Sequence, residues 1–197
     1  MALIPPIERD PDRDAALLAA LPEVPFSGWT ILAMRRAGVA DADLLFPGGG
    51  GEMIEAWLDL VDRRMEQAAA AADMAGLGLS GRVRAVIALR LELLRPDREA
   101  LRRATGWLLL PGHRVRAARC LARTVDSIWH AAGERSADAS WYSKRAILAA
   151  IYGGTILVWL RDPSEDAAAA LGFLDRRLAG LGRFGRLKSR LLPQRAA

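Results

Sequence analysis

Residues 126–161 read DSIWHAAGERSADASWYSKRAILAAIYGGTILVWLR, and this stretch predicts the fold class. It predicts one long helix from about Ala139 to Arg161. The segment 146–160 of that helix is uncharged on every face, so it must be covered on every side. Gly153 and Gly154 each lower the helix propensity by about 1 kcal/mol relative to Ala. They leave space for a ligand tail or, on the alternative interpretation, for close packing against an adjacent helix.

Helical segments extend outward from this stretch in both directions. After it, Asp162 can cap a helix over Ser164–Leu181, with Pro163 at the first helical position and Glu165 reaching back to the cap. The run Gly48–Gly51 is expected to stop a preceding short helix. Before it, Pro and Gly separate helices at about 12–21, 30–37, 41–45, 52–75, 80–95, 97–110 and 112–132. Because no segment alternates apolar and polar residues as a half-buried strand does, the fold class predicted is all-α with about nine helices.

The composition is globular, with 52% hydrophobic and 26% charged residues among 197. Cys120 is the single cysteine, so no intrachain disulfide is possible and a reducing compartment is indicated. The N-terminus lacks the apolar run of a signal peptide. The fifteen uncharged residues of 146–160 fall short of the roughly 20 needed to cross a bilayer. These features predict a soluble bacterial cytoplasmic protein.

The net charge of +5 is concentrated at the C-terminus. Residues 173–197 hold seven Arg or Lys and one acid, a sum of +6, whereas the first 172 residues sum to −1. Apolar residues there recur at helical spacing beside the basic ones, which indicates a short amphipathic helix on an anionic membrane; a disordered charged tail is the alternative. The candidate membrane-binding residues are Arg183, Phe184, Arg186, Leu187, Lys188, Arg190 and Leu191.

The sequence contains no recognisable catalytic motif. His113 and His130 are its only histidines, and no Glu-x-x-His pair for a di-iron site occurs. The run Gly48–Gly51 lacks the Lys-Ser/Thr of a phosphate loop, and no G-x-S-x-G is present. We therefore expect no metal site, no cofactor and no enzymatic activity in this chain.

The N-terminal string GWTILAMRRAGVADADLLFPGGG at 28–50 is similar to the helix-turn-helix module of TetR-type regulators. The helix in the recognition position, however, carries Asp41 and Asp43 and no basic residue, which opposes binding to phosphates. Arg35 and Arg36 lie in the preceding helix. The segment predicts a degenerate helix-turn-helix without DNA binding; a ligand-responsive TetR-type transcription regulator is the alternative function.

Several longer motifs resemble one known family, the lipid-binding accessory proteins of ubiquinone biosynthesis called the Coq-nine family. The resemblance is closest over 126–183 and covers most of the chain. It rests on these motifs: WYSKRAILAAIY at 141–152, VDSIW at 125–129, Ala132-Gly133, FLDRR at 173–177, Gly28-Trp29 and Leu45-Phe46-Pro47.

The resemblance implies a TetR-like fold without DNA binding, a homodimer through the last two helices, and an apolar pocket for an isoprenoid quinone or another lipid. It implies that the protein presents a polyprenyl quinone intermediate to the demethoxyubiquinone hydroxylase, whose di-iron centre carries out the chemistry. The location implied is peripheral, at the inner face of the bacterial inner membrane. The regions expected are a degenerate helix-turn-helix at 1–50, a lipid-binding and dimerisation region at 51–182, and a basic amphipathic tail at 183–197.

The resemblance also implies two sets of site residues. Small and apolar residues of the long helix are candidates for lipid binding: Ala149, Ala150, Gly153, Gly154 and Leu157. Aromatic and charged residues around the preceding loop are candidates for binding the hydroxylase: Asp126, Ile128, Trp129, His130, Trp141, Tyr142 and Arg145. Trp, Tyr and Arg dominate protein interfaces, but large aromatics at a helix start can equally be packed onto the core.

Overall fold

The computed structural model describes residues 7–134, 141–162, 164 and 166–191, with the backbone alone for 141 and 181–191. These residues form ten α-helices and one 3₁₀ turn at Pro111–His113, with no strand among them, which confirms the all-α class. The helices are α1 Pro11–Ala20, α2 Val24–Ser27, α3 Ile31–Arg36, α4 Ala42–Leu45, α5 Gly49–Ala71, α6 Leu79–Leu94, α7 Arg98–Leu108, α8 Arg114–Ala131, α9 Trp141–Arg161 and α10 Ala168–Leu191.

The helix beyond the predicted nine is α2, which lies between the predicted helices at 12–21 and 30–37. Pro25 lies in its first turn, where its missing N–H has no helical partner to lose. Gly28 ends the helix with a φ of 68°, a conformation that a glycine adopts without strain.

The glycine run begins a helix instead of ending one. Gly48 N–H donates to the Glu52 carboxylate at 2.7 Å, which caps α5. A Cβ at Gly50 would lie 2.1 Å from the carbonyl oxygen of Trp29, and a Cβ at Gly51 would lie 1.9 Å from Arg116 Nη1. The run therefore permits α5 to approach other parts of the chain closely.

Asp162 caps α10, although the helix begins at Ala168 and not at Ser164. Its Oδ2 accepts hydrogen bonds from the N–H groups of Ala169 and Ala170 at 2.9 and 3.3 Å, and its Oδ1 accepts from Ser164. The bonds from Ser164 and from the helix N–H groups lower the pKa of Asp162. Pro163 and Glu165 lie outside the described residues. α10 continues without a break through position 182, so the described part of the predicted tail, 183–191, is continuous with it.

The core is arranged around α5, which packs against α8, α6 and α1, while α9 packs against α10 and α8. Trp57 and Ile54 of α5 are buried at its centre. Of the described helices, α9 is long and apolar enough over Tyr142–Arg161 to cross a membrane by length and composition, a window longer than the uncharged segment 146–160. Core helices pass the same test, and one face of α9 is buried here, including Leu148, Tyr152 and Trp159.

Candidate functional site

A largely apolar cavity of about 200 Å³ lies where α5, α6, α7, α8 and α9 meet. Its walls include Leu58, Leu101 and Ile156. Leu109 and Leu157, which also line it, are about half exposed or more, so they mark its mouth. An apolar cleft with a few convergent polar groups is the usual form of a small-molecule site.

Four polar side chains are joined by hydrogen bonds at the inner end of this cavity. Arg90 is fully buried; its Nε donates to the Tyr152 hydroxyl at 2.7 Å and its Nη1 donates to Asp62. Thr124 Oγ1 donates to the other oxygen of Asp62 at 3.0 Å. Arg90, Thr124 and Tyr152 line the cavity, and Asp62 stands behind them. We call these four residues the polar floor.

The two charged residues of the polar floor, Asp62 and Arg90, form an ion pair. Burial raises the pKa of Asp62 to about 6, against the lowering effect of Arg90 and Thr124, and the hydrogen bond from the Arg90 guanidinium favours the ionised carboxylate. Burial is the largest single influence on Arg90 and would lower its pKa, but Asp62 and Tyr152 together outweigh it and the pKa is raised. A buried positive and a buried negative charge thus compensate each other, and the floor carries no net charge.

Two of the five residues predicted to bind lipid line the cavity. Gly153 is open on its cavity side, with no atom within 4 Å of the place a Cβ would take, and Leu157 lies at the mouth. Ala149 is half-buried against the core. Ala150 is exposed, and a Cβ at Gly154 would lie 2.9 Å from the Phe173 ring of α10. The placement of Ala150 and Gly154 in the pocket is therefore corrected: one faces outward and the other packs between helices.

The sequence did not reveal the polar floor. Arg90 follows Val83, Val86 and Ile87 at helical spacing, so it lies on the buried face of α6. A charged residue on a buried helix face, such as Arg90, indicates that a partner of opposite charge is buried beside it, and the sequence contains this indication. Its partners Asp62 and Tyr152 are 28 and 62 residues away along the chain.

Cys120, which also lines the cavity, provides a reporter of this environment. Burial raises the pKa of its thiol to about 11. Because the thiolate is the reactive form, alkylation at pH 8 is expected to be about 100-fold slower than in the urea-unfolded chain. The folded rate should keep rising up to about pH 11, measured by iodoacetamide labelling and mass spectrometry. A folded rate that levels off at the pH where the unfolded chain levels off would contradict this assignment.

The residues predicted to bind a partner are divided between surface and core. Asp126 accepts a hydrogen bond from Arg145 Nε, which joins α8 to α9, and His130 and Tyr142 are exposed. Ile128 is fully buried, which corrects its assignment as a surface contact. The remaining two are Trp129, which is half-buried against the core, and Trp141, which begins α9 with its side chain outside the described residues.

The segment predicted to be a degenerate helix-turn-helix contains α3 and α4. α4 has four residues and carries Asp43 in its first turn, just after Asp41. Arg35 forms an ion pair with Asp43, and Arg36 donates to the Ser27 hydroxyl at 2.6 Å. Both basic side chains next to α4 thus have partners within the chain, and the helix presents acids at its start.

The predicted membrane-binding residues from Arg183 to Leu191 lie on the backbone of α10, and their side chains fall outside the described residues. Within the described part of the chain, no group of three or more His, Cys, Asp or Glu side chains is placed to hold a metal ion.

Comparisons with known proteins agree with the motifs. Residues 115–185 match the family model described as COQ9. The chain is 33% identical over 176 residues to the mitochondrial ubiquinone biosynthesis protein COQ9 of Xenopus tropicalis, which covers 83% of this chain and 55% of that protein. It is also 33% identical to the Homo sapiens COQ9 protein over 174 residues, 82% of this chain and 55% of that protein. The chain thus spans about half the length of the curated relatives it matches.

A solved structure has the same fold. The crystal structure of the TetR transcriptional regulator from Nitrosomonas europaea ATCC 19718 superposes with a TM-score of 0.69 at 28% sequence identity, covering 86% of this chain and 97% of that one. The predicted TetR-like fold is therefore confirmed.

Proposed function

We propose, on the similarity of this chain to the COQ9 proteins, that it acts in ubiquinone biosynthesis as a lipid-binding accessory protein. It binds a polyprenyl quinone intermediate and presents it to the demethoxyubiquinone hydroxylase at the inner face of the bacterial inner membrane. The chemistry belongs to the hydroxylase, and this chain contributes no catalytic residue.

The observation that carries the proposal is the cavity. An engineered protein cavity of about 150 Å³ holds a benzene ring, so a cavity of about 200 Å³ accommodates one substituted ring or a short prenyl segment. The rest of a polyprenyl tail must leave through the mouth between Leu109 and Leu157. Such a ligand is held at one end and remains accessible at the other, which suits transfer to a second protein.

Lipid extraction tests this proposal. The protein is purified without detergent, extracted with organic solvent and analysed by mass spectrometry, with an unrelated helical protein prepared in parallel from the same cells. Isoprenoid quinones are expected in stoichiometric excess over the parallel preparation. Equal amounts in the two extracts would contradict the lipid-binding role.

The proposed docking site for the hydroxylase is the surface formed by Asp126, His130, Tyr142 and Arg145, which we call the α8–α9 surface; we propose that Trp141, the first residue of α9, also takes part. Tyr142 is 61% exposed, and its neighbour Arg145 is fixed by the bond to Asp126. An exposed aromatic beside an anchored Arg has the chemistry of an interface hot spot.

Tyr142→Ala is expected to weaken capture of the hydroxylase by about 30-fold or more, because interface hot spots contribute 2 kcal/mol or more. Pull-down with the tagged chain measures this, and the helical circular dichroism spectrum should not change. The matched control is Phe26→Ala, which removes an exposed aromatic on α2. Equal loss in both variants, or retention of binding by Tyr142→Ala, would contradict the α8–α9 surface; Trp141→Ala is expected to behave like Tyr142→Ala.

We also propose a homodimer through α9 and α10. The outer face of α9 carries an exposed apolar stripe of Ala146, Ile147 and Ala150, although the helix as a whole was expected to be covered on every side. A second copy of the chain would cover this stripe. Analytical ultracentrifugation distinguishes the dimer from a monomer.

Membrane contact is proposed for the end of α10. The helix is continuous to Leu191, and residues 183–191 repeat apolar and basic residues along it. Flotation with vesicles of phosphatidylglycerol and phosphatidylethanolamine compares the full chain with one that ends at Gly182. If the full chain and the truncated chain bind the vesicles equally, residues 183–197 do not contribute to membrane binding.

The structural similarity to a TetR regulator favours transcription regulation as the second candidate. Opposing it, the four-residue α4 begins with acids, and Arg35 and Arg36 have partners within the chain. A gel shift on genomic DNA fragments at low salt distinguishes the two functions, since binding to phosphates is strongest there.

A further inference from the structure

The Tyr152 hydroxyl has an unused hydrogen-bond donor facing a space large enough for a ligand. Tyr152 is only 6% exposed, it lines the cavity, and its oxygen accepts the Arg90 Nε–H at 2.7 Å. Among the described residues, no acceptor takes the proton of this hydroxyl. A phenolic O–H both accepts and donates, so one half of its capacity is left for a molecule in the cavity.

The surroundings keep that proton in place and strengthen it as a donor. Burial raises the pKa of Tyr152, so the hydroxyl stays protonated at neutral pH. The hydrogen bond from the Arg90 guanidinium draws electron density from the phenolic oxygen, which makes its O–H a better donor. A buried donor loses the water that it would bond in solution, so pairing it with an acceptor on a ligand is favourable.

The charge of the polar floor restricts which ligand can pair with it. Asp62 already compensates Arg90, so no uncompensated positive charge remains for a phosphate or carboxylate group. The walls around it are apolar, with Leu58 and Leu101 among them. The site therefore fits a neutral ring that carries one oxygen acceptor at its inner end.

We infer that Tyr152 donates a hydrogen bond to a ring oxygen of the bound ligand, a quinone carbonyl or a methoxy or phenolic oxygen. This inference rests on the proposed function. The ligand enters with its ring first, the ring oxygen meets the polar floor, and the isoprenoid tail leaves past Leu109 and Leu157. Tyr152 is thus the residue that distinguishes an oxygenated ring from a plain hydrocarbon.

Two probes test the inference on the full chain by isothermal titration calorimetry. One is a dimethoxy-methyl-benzoquinone with a single prenyl unit, and the other is prenylbenzene, which has the same tail and no ring oxygen. The wild type is expected to bind the quinone about tenfold more tightly, the contribution of one buried hydrogen bond. Tyr152→Phe should remove that preference and retain binding of prenylbenzene. The control Phe26→Leu, at an exposed aromatic on α2 that does not line the cavity, should leave both affinities unchanged.

A second measurement does not depend on how a variant folds. A hydrogen bond lowers the carbonyl stretching frequency of a quinone, so isotope-edited infrared spectra of the bound probe should show a lowered band in the wild type. An unshifted band, or equal affinity of the wild type for the two probes, would overturn the role of Tyr152 and leave the proposed function standing. Failure of the wild type to bind either probe would overturn the proposed function together with it.

Discussion

Replacing Arg90 with Met is expected to lower the free energy of unfolding by about 3–5 kcal/mol, the usual cost of breaking a buried ion pair from one side. Met is similar in length and fills much of the same space. What it removes is the positive charge that lowers the pKa of Asp62, so this pKa rises further, and the folded chain must either protonate the buried carboxyl or keep it charged with Thr124 as its remaining donor. Urea unfolding followed by circular dichroism measures the change.

A double-mutant cycle shows whether the loss belongs to the pair. Asp62→Leu alone should be destabilising to a similar extent, because it leaves the Arg90 charge buried without compensation, whereas the double variant should recover most of the loss. The matched control is Arg84→Met, which breaks the exposed pair Arg84–Asp175 and should cost less than about 1 kcal/mol. Additive losses in the double variant, or equal losses for Arg90→Met and Arg84→Met, would show that the buried pair is not coupled.

The sequence predicts the fold correctly where residues next to one another along the chain determine where a helix begins. Asp10 and Thr30 accept hydrogen bonds from the first turns of α1 and α3, as residues of their type do before helices generally. The prediction for the run Gly48–Gly51 failed because glycine can either end a helix or allow a helix to pack closely against another part of the chain. Which of these applies depends on Trp29 and Arg116, which meet the run only in the folded chain.

The candidate site was predictable from the sequence only in part, because most of its residues are brought together by the tertiary structure. Small size alone indicated Gly153, and nothing local distinguished it from Gly154; the difference arises from Phe173, which α10 brings against one glycine and not the other. The polar floor depends on pairings between α5, α6, α8 and α9. Periodicity shows that Arg90 is on a buried face, but it does not show which acid or hydroxyl meets it.

Filling the cavity from Gly153 is expected to abolish ligand binding, with a loss of about 100-fold or more for the prenylated benzoquinone. A Phe ring is about the size of the benzene that fills an engineered cavity of about 150 Å³, so Gly153→Phe would occupy most of the about 200 Å³ present. The Cβ itself meets no atom within 4 Å, so the new side chain can start without a clash. Replacing Gly within a helix also favours the helix, so the fold should be retained.

The matched control is Ala150→Phe, which adds the same ring to the exposed side of α9, outside the cavity. Calorimetry on the two variants separates occupation of the cavity from any general effect of an added aromatic on this helix. If both variants bind the quinone as the wild type does, the ligand does not occupy this cavity. If Ala150→Phe alone loses binding, the ligand site lies on the exposed stripe of α9, and the apolar surface proposed for the second copy of the chain would have to be reassigned to the lipid.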